Sequence, residues 1–158
     1  MKQEDKELLL KDLCARLPYG VKILHEGWNY EWDQELSTLE KVTGIDERFI
    51  YTKLINDNGE EYTSGRHTIS LLDDKPYLFP LSSITEEQYN SLHELGILDN
   101  CSHSYEYVNP HIHGVSFIFK EFKTYSLELI EWLNKNHFDY RGLIPKGLAI
   151  EATGLNVY

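Results

Sequence analysis

"RFIYTKLINDNGEEYTSGRHTISLL", Arg48 to Leu72, decides the fold class. Two runs rich in β-branched and aromatic residues flank Asn58-Gly59. Asn and Gly tolerate the positive φ of a tight turn, so the stretch predicts two antiparallel strands forming a hairpin. A domain containing such a hairpin and helices of its own is α+β unless strands and helices alternate regularly along the chain. The neighbouring segments decide that point.

On the N-terminal side, "KQEDKELLLKDLCARLPYG" predicts an amphipathic helix over 3–17. Leu9, Leu10, Leu13 and Leu17 recur at helical spacing, and Pro18 with Gly20 ends it. Cys14, inside that leucine pattern, is expected to be a small core residue. "GVKILHEG" predicts a short strand. "WNYEWDQELSTLEKVTG" is ambiguous, because Trp28, Tyr30 and Trp32 alternate as in a strand while "QELSTLEKV" also fits a helical turn or two. On the C-terminal side, "DDKPYLFPLSS" is expected to be irregular, since Pro76 and Pro80 lack backbone donors. "SSITEEQYNSLHELG" predicts a helix, with a capping box at Thr85 and Gln88 and a stop at Gly96. "SYEYV" and "HGVSFIFKEF" predict strands. "TYSLELIEWLNKN" predicts a helix with a stripe of Leu127, Ile130 and Leu133, widened by Leu129 and Trp132. "LIPKGLAIEA" closes with a turn and a short strand. No repeat or linker interrupts the chain. The expectation is α+β: a single domain, 1–158, of about three helices packed on a mostly antiparallel sheet.

Charge excludes one class of partner. Fifteen Lys and Arg against 26 Asp and Glu give −11, a field that repels phosphate backbones and argues against direct nucleic-acid binding. Placement is more informative than the total. No Lys or Arg occurs from Pro76 to Phe119, whereas Glu86, Glu87, Glu94, Asp99 and Glu106 do. Such a segment is either a solvated acidic face or a docking surface for a basic protein, and Tyr105 and Tyr107 would be its aromatic anchors. Two cysteines, Cys14 and Cys101, make no disulfide framework. The first residues lack a signal-peptide pattern, and no apolar run approaches the roughly 18 residues of a membrane span. A cytoplasmic setting without a membrane partner is expected.

Three blocks, "LLLKDLCARLPYGVK", "KPYLFPLSSITEEQ" and "WLNKNHFDYRGLIPKGLAIEA", resemble the recurrent blocks of small uncharacterised proteins of gut Bacteroides genomes, prophages and phages. The resemblance covers three blocks, Leu8 to Lys22, Lys75 to Gln88 and Trp132 to Ala152, and implies a bacterial or phage, cytoplasmic setting. It brings no catalytic residue and no cofactor.

Candidate chemistry is sparse. In "HFDYRGLI", His137 and Asp139 are the acid/base candidates. The residues of this stretch also have structural roles to fill. Asn136 just before it fits a left-handed helix cap, His137 lies beside the negative helix end, and Arg141 can bind a carbonyl or carboxylate. In "NPHIHG", His111 and His113 share a strand face, and with His103 they are the metal candidates, though the spacing matches no standard site. "NDNGEE" fails as a calcium loop because Leu54 stands where the first acidic ligand belongs. Gly65 in "GRHT" reads as a strand irregularity, and Trp28, Tyr30 and Trp32 as packing aromatics. No cofactor is expected. The leading expectation is a non-enzymatic protein-binding factor acting through Glu86, Glu87, Glu94, Tyr105, Glu106 and Tyr107. The alternatives are a small hydrolase, metal-dependent or built on His137 and Asp139, and a homo-oligomer closed by edge pairing of the hairpin.

Overall fold

The Asn58-Gly59 hairpin forms as its sequence dictates. In the computed structural model, which describes residues 1–29, 34–56, 58–68, 74–99, 101–108 and 116–158, Gly59 takes φ 81°. The Asn56 side-chain oxygen accepts the Asn58 and Glu60 amides at 3.0 and 2.8 Å, so the turn is stitched by its first residue. The flanking strands are Phe49–Ile55 and Glu61–Thr68. In chain order these are β3 and β4. They follow β1 (Lys22–Asn29) and β2 (Gln34–Ile45), and β4-β3-β2-β1 is a continuous antiparallel meander. The helical alternative for "QELSTLEKV" is therefore overturned. Thr38, Glu40 and Val42 alternate onto one face, a period of 2 that pairing on both sides holds extended.

The described residues gather into two compact units, Met1–Leu78 with Arg141–Tyr158, and Phe79–Tyr140. The first boundary falls inside strand β5 (Lys75–Pro80), so no change of composition marks it. That strand corrects the irregular segment expected from its prolines. Pro76 is the second residue of β5, opposite Ile23, and among the described residues the pairing with β1 covers Ile23↔Pro76 and Leu24↔Lys75. A proline at the start of a strand leaves little ladder to interrupt.

In the first unit, α1 (Gln3–Arg16) and a 3₁₀ turn at Leu17–Tyr19 end at Gly20, φ 69°. Leu9 and Leu13 bury themselves with Val21, Ile23, Val42 and Ile50 from one sheet face. Asp12 and Arg16 lie on the same stripe, both fully buried, because positions 9, 12, 13 and 16 share a helix face. Arg16 holds the Asp12 carboxylate at 2.7 and 3.1 Å, and Arg141 donates to it at 3.1 Å. Cys14, one step off that stripe, is exposed, which corrects its expected burial. A second cluster joins Leu78, Leu143, Leu148 and Ala149, where β9 (Ile150–Glu151) runs parallel to β5.

The second unit holds α2 (Glu86–Glu94), β6 (His103–Val108), β7 (Ser116–Phe122), α3 (Leu127–Lys135) and β8 (Phe138–Asp139). The Thr85–Gln88 capping box is present in both directions, and Gly96 takes φ 69°. β6 and β7 pair antiparallel, and β8 pairs parallel with Phe79–Pro80. Tyr89 and Leu92 from α2, Phe119 and Phe122 from β7, and Leu129 and Leu133 from α3 make the core. The buried stripe of α3 is thus Leu129 with Leu133. Leu127 is 81% exposed, so it drops out of the expected stripe, of which Leu129 and Leu133 are the buried members. The left-handed cap is also displaced: Asn136 keeps φ −98° and His137 takes φ 58°. Asn136 instead donates from its side chain to the Trp132 carbonyl at 2.9 Å, and His is among the non-glycine residues enriched at positive φ. Among the described residues, three α-helices and a largely antiparallel set of strands place the chain in the α+β class.

Candidate functional site

Among the described residues, two places bring chemistry-bearing side chains together, one in each unit. In the second unit, strand alternation sends His103, Tyr105 and Tyr107 of β6 to one side of the hairpin, where Phe117 and Phe119 of β7 and Tyr89 of α2 meet them. Ring centroids lie 5.0 Å apart for Tyr89–Tyr105, 5.5 Å for Tyr105–Phe117 and 5.7 Å for Tyr105–Tyr107. The ladder grades from a closed end to an open one: Phe119 is fully buried, whereas Tyr105 and Tyr107 are 44% and 52% exposed. The Tyr107 hydroxyl donates to Glu86 at 2.9 Å, which ties the open end to the first turn of α2. That hydrogen bond, then burial and the Glu86 charge, raise the Tyr107 phenol above its ordinary range. Glu86, Glu87 and Glu94, with Asn90 and Ser91, line a shallow concavity on α2.

Five of the six residues expected in a binding surface therefore lie on α2 and on the aromatic side of β6. Glu106 does not join them. It alternates to the opposite side of the hairpin and pairs with Lys120 at 2.5 Å. His103 hydrogen-bonds the Tyr89 hydroxyl at 2.8 Å and the Cys101 carbonyl at 3.1 Å. Among the described residues it belongs to no cluster of three metal-binding side chains. His111 and His113 lie outside the described residues. His137 and Asp139 are buried, at 6% and 7% exposure, at the end of α3 and in β8. Cys101 is buried, its thiol directed to the Ile97 carbonyl at 3.4 Å.

The second place lies in the first unit. It draws on β1, β2, β3, β4 and the residue before β5. The face of the sheet that packs apolar side chains beneath α1 continues as a polar cluster. Each strand supplies a member at the inward phase: His25 two residues after Ile23, Glu40 two before Val42, Thr52 two after Ile50, and His67 opposite Ile50. His25 Nδ1 lies 2.6 Å from Asp74 Oδ1, and His67 Nε2 lies 2.7 Å from Glu40 Oε2. The two imidazoles are 3.8 Å apart, tilted by 37°. Thr38 and Thr52 donate to the two Glu40 oxygens at 2.8 and 2.5 Å. The carboxylates are 3% and 5% exposed and the imidazoles 14% and 28%, so the acids form the floor and the rings the opening.

Burial by itself pushes the Glu40 carboxyl up. The hydrogen bonds from His67, Thr52 and Thr38 and the His67 charge outweigh it and hold Glu40 down at about 2. Burial likewise lowers His67, but the Glu40 hydrogen bond and the Asp74 and Glu40 charges leave it raised above 6.5. Gly65 belongs to the same construction. It sits in regular register opposite Thr52, not at a strand irregularity. A Cβ there would lie 2.5 Å from Thr52 Oγ1 and 3.1 Å from Glu40 Oε2. His25, Glu40, His67 and Asp74 are absent from the site residues expected from sequence. The signal that could have found them is polar residues in the inward phase of strands whose other inward residues are apolar.

Compared with protein-family models, curated proteins and solved structures, the chain matches none of them. Function therefore rests on the chemistry of these two places.

Proposed function

We propose that the chain is a non-enzymatic accessory factor of phage or prophage type, acting in the cytoplasm, that docks a basic protein through the acidic, aromatic face of its second unit. The observation that carries this reading is the Tyr107–Glu86 hydrogen bond of 2.9 Å, which makes one continuous surface of an exposed tyrosine pair and the acidic start of α2. Exposed tyrosines whose inner neighbours are packed resemble interface anchors, because a ring held in place loses little further freedom on binding. The surrounding charge is mostly negative: Phe79–Tyr140 carries nine Asp and Glu against three Lys, and all three Lys follow Phe119. Such a field speeds encounter with a basic surface and opposes acidic ones. The resemblance of the three sequence blocks to Bacteroides and phage proteins supports the setting. Among the described residues, no helix is long and apolar enough to cross a membrane.

The test is an affinity capture from host extract, with the wild-type chain and two variants as baits. Tyr105→Ala/Tyr107→Ala removes the anchors. Glu86→Gln/Glu87→Gln/Glu94→Gln removes the charge while preserving shape. The expected result is a basic protein retained by the wild type, lost with the first variant and bound less salt-sensitively by the second. The same partners captured by all three baits, with unchanged salt sensitivity, would overturn the reading.

A further inference from the structure

The polar cluster of the first unit is not among the residues of the proposed docking surface, and its composition is unusual for a sheet face. It places two buried carboxylates and two imidazoles where the neighbouring strand positions hold Ile23, Val42 and Ile50. Burying two carboxylates is unfavourable unless positive charge accompanies them. The two imidazole rings stand 3.8 Å apart at the opening above those carboxylates. One divalent cation would neutralise both carboxylates and leave the imidazoles neutral, as metal ligands must be.

We infer that His25, His67 and Asp74 form a binding site for a first-row divalent metal ion of the zinc type. One ligating atom from each of the three lies within 4.8 Å of the other two. Ligands of a tetrahedral ion at about 2.0–2.1 Å stand roughly 3.3 Å apart, so the three draw inward to close on one ion. His25 Nδ1 and Asp74 Oδ1, 2.6 Å apart, separate as the ion takes the place of the proton between them. The donor chemistry selects the ion: two imidazoles and one carboxylate suit zinc, cobalt or nickel, whereas magnesium and calcium prefer oxygen alone. Glu40 is the supporting carboxylate. Anchored by Thr38 and Thr52, it holds the His67 ring in place, the arrangement that metal-binding histidines commonly have behind them. Gly65 keeps that support in position, since a side chain there would collide with Thr52.

Calorimetric titration of the chelator-treated chain with ZnCl₂ tests this. One ion per chain is expected, with no heat from MgCl₂ or CaCl₂. CoCl₂ should give the visible absorption of a nitrogen- and oxygen-bound tetrahedral ion. His67→Ala and Asp74→Asn should each abolish saturable binding. Glu40→Gln should weaken it about 10–100-fold, and His103→Ala should leave it unchanged. Far-UV circular dichroism checks that the variants fold. Should either fail to, the wild-type chain decides by nuclear magnetic resonance, through selective broadening of the His25 and His67 ring signals on adding cobalt. Heat indistinguishable from dilution overturns the proposal. So does zinc uptake that persists in folded His67→Ala, or that is lost in His103→Ala.

Discussion

Replacing Glu40 by Gln keeps the size of the side chain and removes its charge, and the consequence depends on pH in a way the structure specifies. A carboxyl held at about 2 when folded and near 4.5 when unfolded stabilises the fold by about 3 kcal/mol, at roughly 1.4 kcal/mol per pKa unit. Because the folded value is depressed, this stability is complete above about pH 4.5 and is lost as pH falls through about 2. His67 acts with the opposite sign. Its folded pKa is raised above 6.5, so what it adds is complete below that pH and is lost as pH rises through the raised value. The deficit of Glu40→Gln should therefore be largest, about 3 kcal/mol, between about pH 4.5 and 6.5. It should fall to about half of that by about pH 3. It should shrink only partly on the alkaline side, because Thr38 and Thr52 still bond the carboxylate. Urea denaturation of chelator-treated wild type and variant, followed by circular dichroism across that range, measures it. A deficit that stays constant between about pH 3 and 6, or below about 1 kcal/mol at its maximum, would refute the coupling described for this cluster.

Asp12→Ala should destabilise by about 3–5 kcal/mol in denaturant titration, since it removes the carboxylate paired with the fully buried Arg16 guanidinium. Gly65→Ala should cost about 1–3 kcal/mol through overpacking, and the cost should drop in a Thr52→Ala background because Thr52 Oγ1 is the atom struck. Leu129→Ala should lower stability by about 2–5 kcal/mol while Leu127→Ala, at an exposed position, changes it by less than about 0.5 kcal/mol. The Leu127–Ile130–Leu133 stripe suggested by sequence periodicity predicts a large loss for Leu127→Ala instead.

Local chemistry was legible in the sequence wherever one short segment contained the whole cause. Asn58-Gly59, the Thr85–Gln88 box and Gly96 each specify a turn or cap through their own backbone preferences, and all three formed. Errors arose where a competing interaction was distant. Asp12 and Arg16 take half of the inward stripe of α1 and leave Cys14 outside it, which the leucine spacing conceals. One partner of Arg141 in "HFDYRGLI" is the Asp12 carboxylate, 129 residues away, whereas the sequence offered only a choice between a carbonyl and a carboxylate. β5 forms despite its prolines, which stand at its second and last positions rather than in the middle of its ladders. The His25–Glu40–His67–Asp74 cluster is the clearest case. Its members come from four separate segments of the chain, and the registers of β1 to β4 bring the strand residues together. The acidic, aromatic surface was more visible because α2 and β6 each carry their contribution as a local pattern. Even there, strand alternation removed Glu106 to the other side of the hairpin.

Docking of a basic protein by the second unit meets its most direct test in site-specific photo-crosslinking in the host. A photoreactive side chain in place of Glu87 lies on the proposed face, and one in place of Tyr62, 61% exposed, lies in the other unit as a control. The Glu87 probe should form an adduct with a basic protein, and the Tyr62 probe should not. That adduct should be suppressed by Tyr107→Ala and should weaken as ionic strength rises from about 0.05 to about 0.5 M. Adducts of equal yield from both probes, or an adduct from Glu87 indifferent to Tyr107→Ala and to salt, would contradict docking through this face.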